Sequence, residues 1–158
     1  MTLEKTQQYT LKIAQANKTQ MITILYEMVA DYINEAIDGF AIGDRDEAAK
    51  ALSHAQSCID ELIRSLNLEY ELARNLHKIY LFSKKELTAS GASGNMHRMW
   101  RVRKNFESLK AAYEELERYD ASPAIMGNTQ KVYAGLTYGR YALNEDISQL
   151  SMNRGLMA

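Results

Sequence analysis

Between Thr19 and Ile42 the apolar positions Ile22, Tyr26, Val29, Ile33, Ala36 and Phe40 recur at alternating intervals of four and three. That spacing keeps side chains on one face of a helix and predicts a long one here. Gly43 offers a stop, and Asp44 with Glu47 three residues later reads as an N-cap and its capping-box partner. A second helix is predicted from there to about Asn67, because Ala48, Leu52, Ala55, Ile59, Leu62 and Leu66 repeat the interval as a narrow seam. The third, over Glu69 to Thr88, has Leu72, Leu76, Ile79, Tyr80 and Leu87 as its inward face, with Ser83 interrupting it. Ser90, Gly91, Ser93 and Gly94 then predict a flexible turn. Met99, Val102, Phe106, Leu109, Tyr113 and Leu116 restore the seam as a fourth helix. Similar lengths and short joins predict an all-α fold, an antiparallel up-down four-helix bundle.

Beyond Asp120 the pattern weakens, because Gly127, Gly135, Gly139 and Gly155 fall in a tyrosine-rich stretch. Val132, Leu136, Leu143, Ile147 and Leu150 keep a helical period, which predicts a marginal helix that forms by docking. The expected organisation is therefore a bundle domain over residues 1–120 with an amino-terminal arm at 1–17, and a carboxy-terminal tail at 121–158 docking on it. Gly135 and Gly139 have the spacing of a membrane dimer motif but lack the apolar surroundings that give it meaning.

Composition narrows the chemistry. The 158 residues carry a formal charge of −1, which supplies no global field for nucleic acid or an anionic membrane. No stretch has the length and apolarity of a membrane span and Met1 to Thr10 has no leader-like apolar run, so no membrane insertion and a cytoplasmic location are expected. The lone Cys58, among Ala55, Ile59 and Leu62, reads as a buried small hydrophobe. Metal sites in helical bundles use Glu-x-x-His pairs, yet Ala51, Arg74 and Gly94 stand three residues before His54, His77 and His97. No phosphate loop or nucleophile motif is present, so neither cofactor nor catalytic residue is expected. His97, Arg98, Arg101, Arg103 and Lys104 cluster around Trp100, but Glu107, Glu114, Glu115 and Glu117 follow on the same helix. A solvated helix start is the more economical reading than a nucleic-acid grip.

The bundle has apolar surface to spare. Met21, Ile24, Met28 and Tyr32 form a second stripe on the first helix, and Leu81, Phe82, Met96 and Trp100 fall off the inward faces of theirs, while Ile63 lies at a seam edge. Such a surface needs a cover. Two alternatives stand: the arm, with Tyr9, Leu11 and Ile13, and the tail pack there as added core, or the cover is removable and an amphipathic segment of a partner takes its place.

An ordered set of positions resembles the flagellar secretion chaperones, the FliS family. Tyr9 lies in the polar arm, Leu25, Tyr26 and Glu27 in the first helix, and Ile59, Glu61, Leu62, Ser65, Leu66 and Asn67 at the end of the second. Ala73, Asn75, Leu76, Ile79, Tyr80 and Phe82 follow in the third, and Leu109, Ala112 and Tyr113 in the fourth. The family usually has aspartate in place of Glu27 and Asn67, tryptophan in place of Tyr113, and often a proline near Thr19. The resemblance implies a non-enzymatic cytosolic chaperone that binds the disordered carboxy-terminal segment of flagellin, prevents premature polymerisation and delivers it to the flagellar export gate. It implies that Tyr9 and its arm both cover the groove and engage the export machinery. For contact with the partner the residues named are Tyr9, Ile13, Tyr26, Ile59, Ile63, Leu66, Leu76 and Tyr80, with Ile59 and Leu76 read equally well as ordinary core. The rival expectations are a helical adaptor or regulator with a different amphipathic client, and a bundle enzyme or metal carrier.

Overall fold

The computed structural model describes residues 1–126. Among the described residues every regular element is a helix: α1 (Leu3–Gln15), α2 (Lys18–Ile42), α3 (Arg45–Arg64), α4 (Glu71–Ser93) and α5 (Met96–Glu117). The chain divides into two compact units, one of them Thr19–Ala121, the other joining Met1–Lys18 to the segment that begins at Ser122. The helical period expected between Val132 and Leu150 lies outside the described residues.

In the unit Thr19–Ala121 the periodic apolar residues meet in one cluster. Tyr26, Val29, Ile33 and Ala36 of α2, Ala51, Leu52, Ala55, Cys58, Ile59 and Leu62 of α3, Leu76, Tyr80 and Leu87 of α4, and Met99, Val102 and Phe106 of α5 are its buried members. Its centre is aromatic: the Tyr26 ring lies 5.9 Å from Phe106 and 5.2 Å from Tyr113, and Tyr80 stacks on Phe106 at 6.3 Å. The hydroxyls of Tyr26 and Tyr80, both buried, satisfy each other at 2.6 Å. Polar pairs fix the neighbours of each helix. Tyr32 of α2 stacks on His54 of α3 at 5.1 Å, Lys84 of α4 donates to Asp60 of α3 at 2.5 Å, and Arg103 of α5 donates to Asn34 of α2 at 2.6 Å. Gly39 lets α2 and α3 close on each other, since a Cβ there would stand 3.0 Å from the Ala48 nitrogen.

The caps follow the sequence with one change. The Asp44 carboxylate accepts from the Glu47 N–H at 3.0 Å, but the Asp44 N–H donates to the Gly39 carbonyl at 2.8 Å, so the reciprocal half of a capping box is not needed. The expectation for α4 requires larger corrections. Its inward face is Ala73, Leu76, Tyr80, Ser83, Leu87 and Ser90, while Leu72 and Ile79 are exposed. Ser83 belongs to the buried face instead of interrupting it. The predicted turn is also helix as far as Ser93, ended by Gly94 at φ 69°. Gly91 is there for packing: a Cβ would come within 2.8 Å of Leu52 Cδ1. On α5 the seam stops at Tyr113, because Leu116 is exposed.

The other unit contains α1, a helix where a polar arm was expected. Thr2 caps it by accepting from the Lys5 N–H at 3.3 Å, and Tyr9 and Ala14 are its buried residues. The Lys12 ammonium lies 5.3 Å from the centre of the Tyr9 ring. After α1 the Ala16 carbonyl accepts from the Ile125 N–H at 2.9 Å.

Burial carries a pH consequence. Loss of hydration pushes the Cys58 thiol up to about 11, with Glu61 adding to the shift, and pushes Tyr80 up to about 12; it raises Tyr26 further. These groups are neutral when protonated, so the folded chain holds their protons where the unfolded chain has released them. Their stabilisation is complete below the unfolded values and is lost as pH rises through the folded ones. Denaturant midpoints should therefore hold steady just above neutrality and fall from about pH 9 upward, the unfolded thiol titrating first. A midpoint unchanged to about pH 11 would contradict the burial of these three groups.

Candidate functional site: an apolar groove between α4 and α5

Two large apolar residues of α4 have no place in the core. Ile79 is 39% and Phe82 51% exposed, since they lie about 100° and 200° around the helix from the buried Tyr80. With Lys78 of the same helix and Asn105, Ser108 and Leu109 of α5 they line an open groove of about 520 Å³. Leu72, seven residues before Ile79, is 63% exposed, and Leu116, seven residues after Leu109, is 50% exposed. Seven residues are close to two helical turns, so both continue the apolar track along their helices. α4 and α5 run in opposite directions here, because Glu86 stands 3.9 Å from Arg98 while Ile79 shares the groove with Ser108 and Leu109.

The groove exists because the facing positions on α5 are short. Asn105 and Ser108 do not cover the flank of Ile79 and Phe82 as a leucine would, yet they and Lys78 supply hydrogen-bonding groups at the rim. An apolar floor with a sparse polar rim suits an amphipathic peptide helix better than a reactive small molecule. Among the described residues no three His, Cys, Asp or Glu side chains are grouped so as to hold a metal ion. Nor is any helix of the described residues long and apolar enough to cross a membrane.

The residues named from the sequence take different places. Tyr26, Ile59, Leu76 and Tyr80 come together inside the core, and Ile63 and Leu66 pack half-buried against it. Tyr9 is buried and Ile13 half-buried on α1. None of the eight lines the α4–α5 groove; sequence reasoning missed Leu72, Ile79 and Leu116 as surface residues, while Leu109 packs half-buried against the core as its seam position predicts and also borders the groove. Phe82 did carry a signal, falling off the inward face of its helix. Cys58 is buried, and Leu81, Met96 and Trp100 are exposed, as the periodicity predicts.

No match was found among curated proteins. A family model does match: that of the flagellar protein FliS, over residues 2–119. The matched span, about three quarters of the chain, takes in α1 to α5 and every residue of the α4–α5 groove. Three landmark positions line the groove: Ile79 and Phe82, which are exposed, and Leu109, which packs half-buried against the core. On the strength of that match the chain belongs to the FliS family of flagellar secretion chaperones.

Proposed function

We propose that this protein is a non-enzymatic, cytosolic export chaperone that seats the disordered carboxy-terminal segment of flagellin in the α4–α5 groove. So held, flagellin is kept from polymerising early and is carried to the flagellar export gate. The observation that supports this reading most is the exposure of Ile79 and Phe82 beside Leu109, apolar surface that the chain's own packing leaves open. In this reading α2 to α5 form an antiparallel up-down four-helix bundle, supported by the pairs Asn34–Arg103, Tyr32–His54, Asp60–Lys84 and Glu86–Arg98. Residues 1–120 are the chaperone domain, with an arm at 1–17, and residues 121–158 a tail that docks on it. Tyr9 and Ile13 serve the arm, Ile63 and Leu66 extend the client surface, and Tyr26, Ile59, Leu76 and Tyr80 act by holding the groove walls in shape.

The binding follows from hydrophobic burial and needs no nucleotide. A disordered segment loses conformational entropy as it orders, so a long interface remains releasable at the export gate. Calorimetric titration with a flagellin carboxy-terminal peptide should show a large negative heat-capacity change, the mark of apolar burial. A chain lacking residues 127–158 should stay helical and bind with altered affinity if the tail docks on the bundle. Titration with no heat and no complex on gel filtration would remove flagellin as the client.

A further inference from the structure

α5 carries its charges against its own dipole. Residues 96–105 hold Arg98, Arg101, Arg103 and Lys104 with no carboxylate, whereas residues 106–117 hold Glu107, Glu114, Glu115 and Glu117 against Lys110 alone. The first turn has no acidic residue and the last turn no basic one. A helix has positive partial charge at its N-terminus and negative at its C-terminus, so the stabilising arrangement is the reverse of this one. The side chains reinforce the dipole, at a cost to α5, and one wall of the groove becomes electrically polar from end to end.

Pairing inside the molecule cancels this only in part. Arg98 stands 3.9 Å from Glu86, Arg103 3.5 Å from Glu107, Lys110 3.5 Å from Glu114, and Arg118, at the C-cap, 3.5 Å from Glu115, which leaves Glu117 as the acidic residue of the last turn with no ion pair among the described residues. Arg101 and Lys104 make no ion pair among the described residues. Each precedes a groove-lining residue by one helical turn, Arg101 before Asn105 and Lys104 before Ser108, which sets them at the basic end of the groove. The Lys104 ammonium lies 5.0 Å from the centre of the half-exposed Trp100 ring, which stacks on His97.

From this polarity we infer that α5 fixes the direction in which the client lies. A helical client segment runs antiparallel to α5, its negative C-terminal end over Arg101 and Lys104, its positive N-terminal end towards Glu115 and Glu117. The inference rests on the groove reading above and adds orientation to it. That placement sets the client's negative helix end on basic side chains and its positive end on acidic ones, while the backbone dipoles of α4 and α5, which run in opposite directions, offset each other across the groove. At low salt the separation of packed helices is within a Debye length, so the preference survives solvent screening there and shrinks as salt is added.

Trp100 is the single tryptophan of the chain and stands beside Arg101 and Lys104 on α5, so quenching of its emission reports which end of a bound peptide lies at the basic end of the helix. A flagellin carboxy-terminal peptide would carry a quencher at its C-terminus in one preparation and at its N-terminus in another. At saturation and low salt the C-terminal label should quench Trp100 about threefold more than the N-terminal label, and high salt should narrow the gap. A charge-swapped protein with Arg101→Glu, Lys104→Glu, Glu115→Lys and Glu117→Lys should lose or invert that preference while keeping the wild-type circular dichroism. Equal quenching, stronger quenching from the N-terminal label, or an unchanged preference in the swapped protein would each overturn the inference and leave the groove intact. If neither peptide binds, as read by anisotropy, the groove reading itself is wrong and the orientation falls with it.

Discussion

Replacing Phe106 by alanine is expected to remove about 3–5 kcal/mol of folding stability, the range for deleting a large buried ring. Phe106 is wholly buried, stacked nearly parallel on Tyr80 with 12° between the planes and tilted against Tyr26. It thus fills the space where α2, α4 and α5 meet. The cavity cannot collapse easily, because Met99 and Val102 on one side and Leu109 and Tyr113 on the other hold α5 at its distance. Water reaching that space would also compete for the buried bond between the Tyr26 and Tyr80 hydroxyls. Domains of this size have about 5–15 kcal/mol in total, so the variant should sit near the edge of folding at physiological temperature. Urea denaturation followed by circular dichroism measures the loss, and a change under about 1 kcal/mol would mean that the ring is not close-packed.

The sequence made α2 and α3 legible because each presents a regular seam whose two edges are covered on both sides. Tyr26, Val29, Ile33 and Ala36, and likewise Ala48, Leu52, Ala55, Ile59 and Leu62, are buried at the positions their spacing predicts. α4 was harder to read since its face is built partly from small polar residues. Ser83 and Ser90 are buried where a periodicity of apolar residues registers nothing, and the Ser90 hydroxyl is satisfied locally by the Leu87 carbonyl at 3.0 Å. Gly91 looked like a turn residue but serves close approach to Leu52, a distinction visible only once α3 is beside it.

The groove was half-legible for a related reason. Ile79 lies about 60° from Leu76 around the helix, at the edge of the inward stripe, and an edge residue is buried or exposed according to the size of what faces it. On α5 that is Asn105 and Ser108, which are too short to cover it. Nothing local to α4 specifies those neighbours. Tyr26, Ile59, Leu76 and Tyr80, named as contacts, lie in the core, the place that the alternative reading gives Ile59 and Leu76.

In the proposed function Ile79 and Phe82 hold the client, and the double substitution Ile79→Asp with Phe82→Asp tests that role most directly. Both side chains already meet water, so two carboxylates there should leave the denaturation midpoint within the range of ordinary surface changes, about 0.5 kcal/mol. Each replacement removes an apolar anchor and obliges the client to desolvate a charge, and losing two anchors of about 2 kcal/mol should weaken binding roughly a hundredfold or more. Calorimetric titration of the flagellin carboxy-terminal peptide into wild-type and doubly substituted protein measures this directly. A saturable heat is expected with the first and none with the second at the same concentrations; equal binding by two equally folded proteins would show that Ile79 and Phe82 do not hold the client.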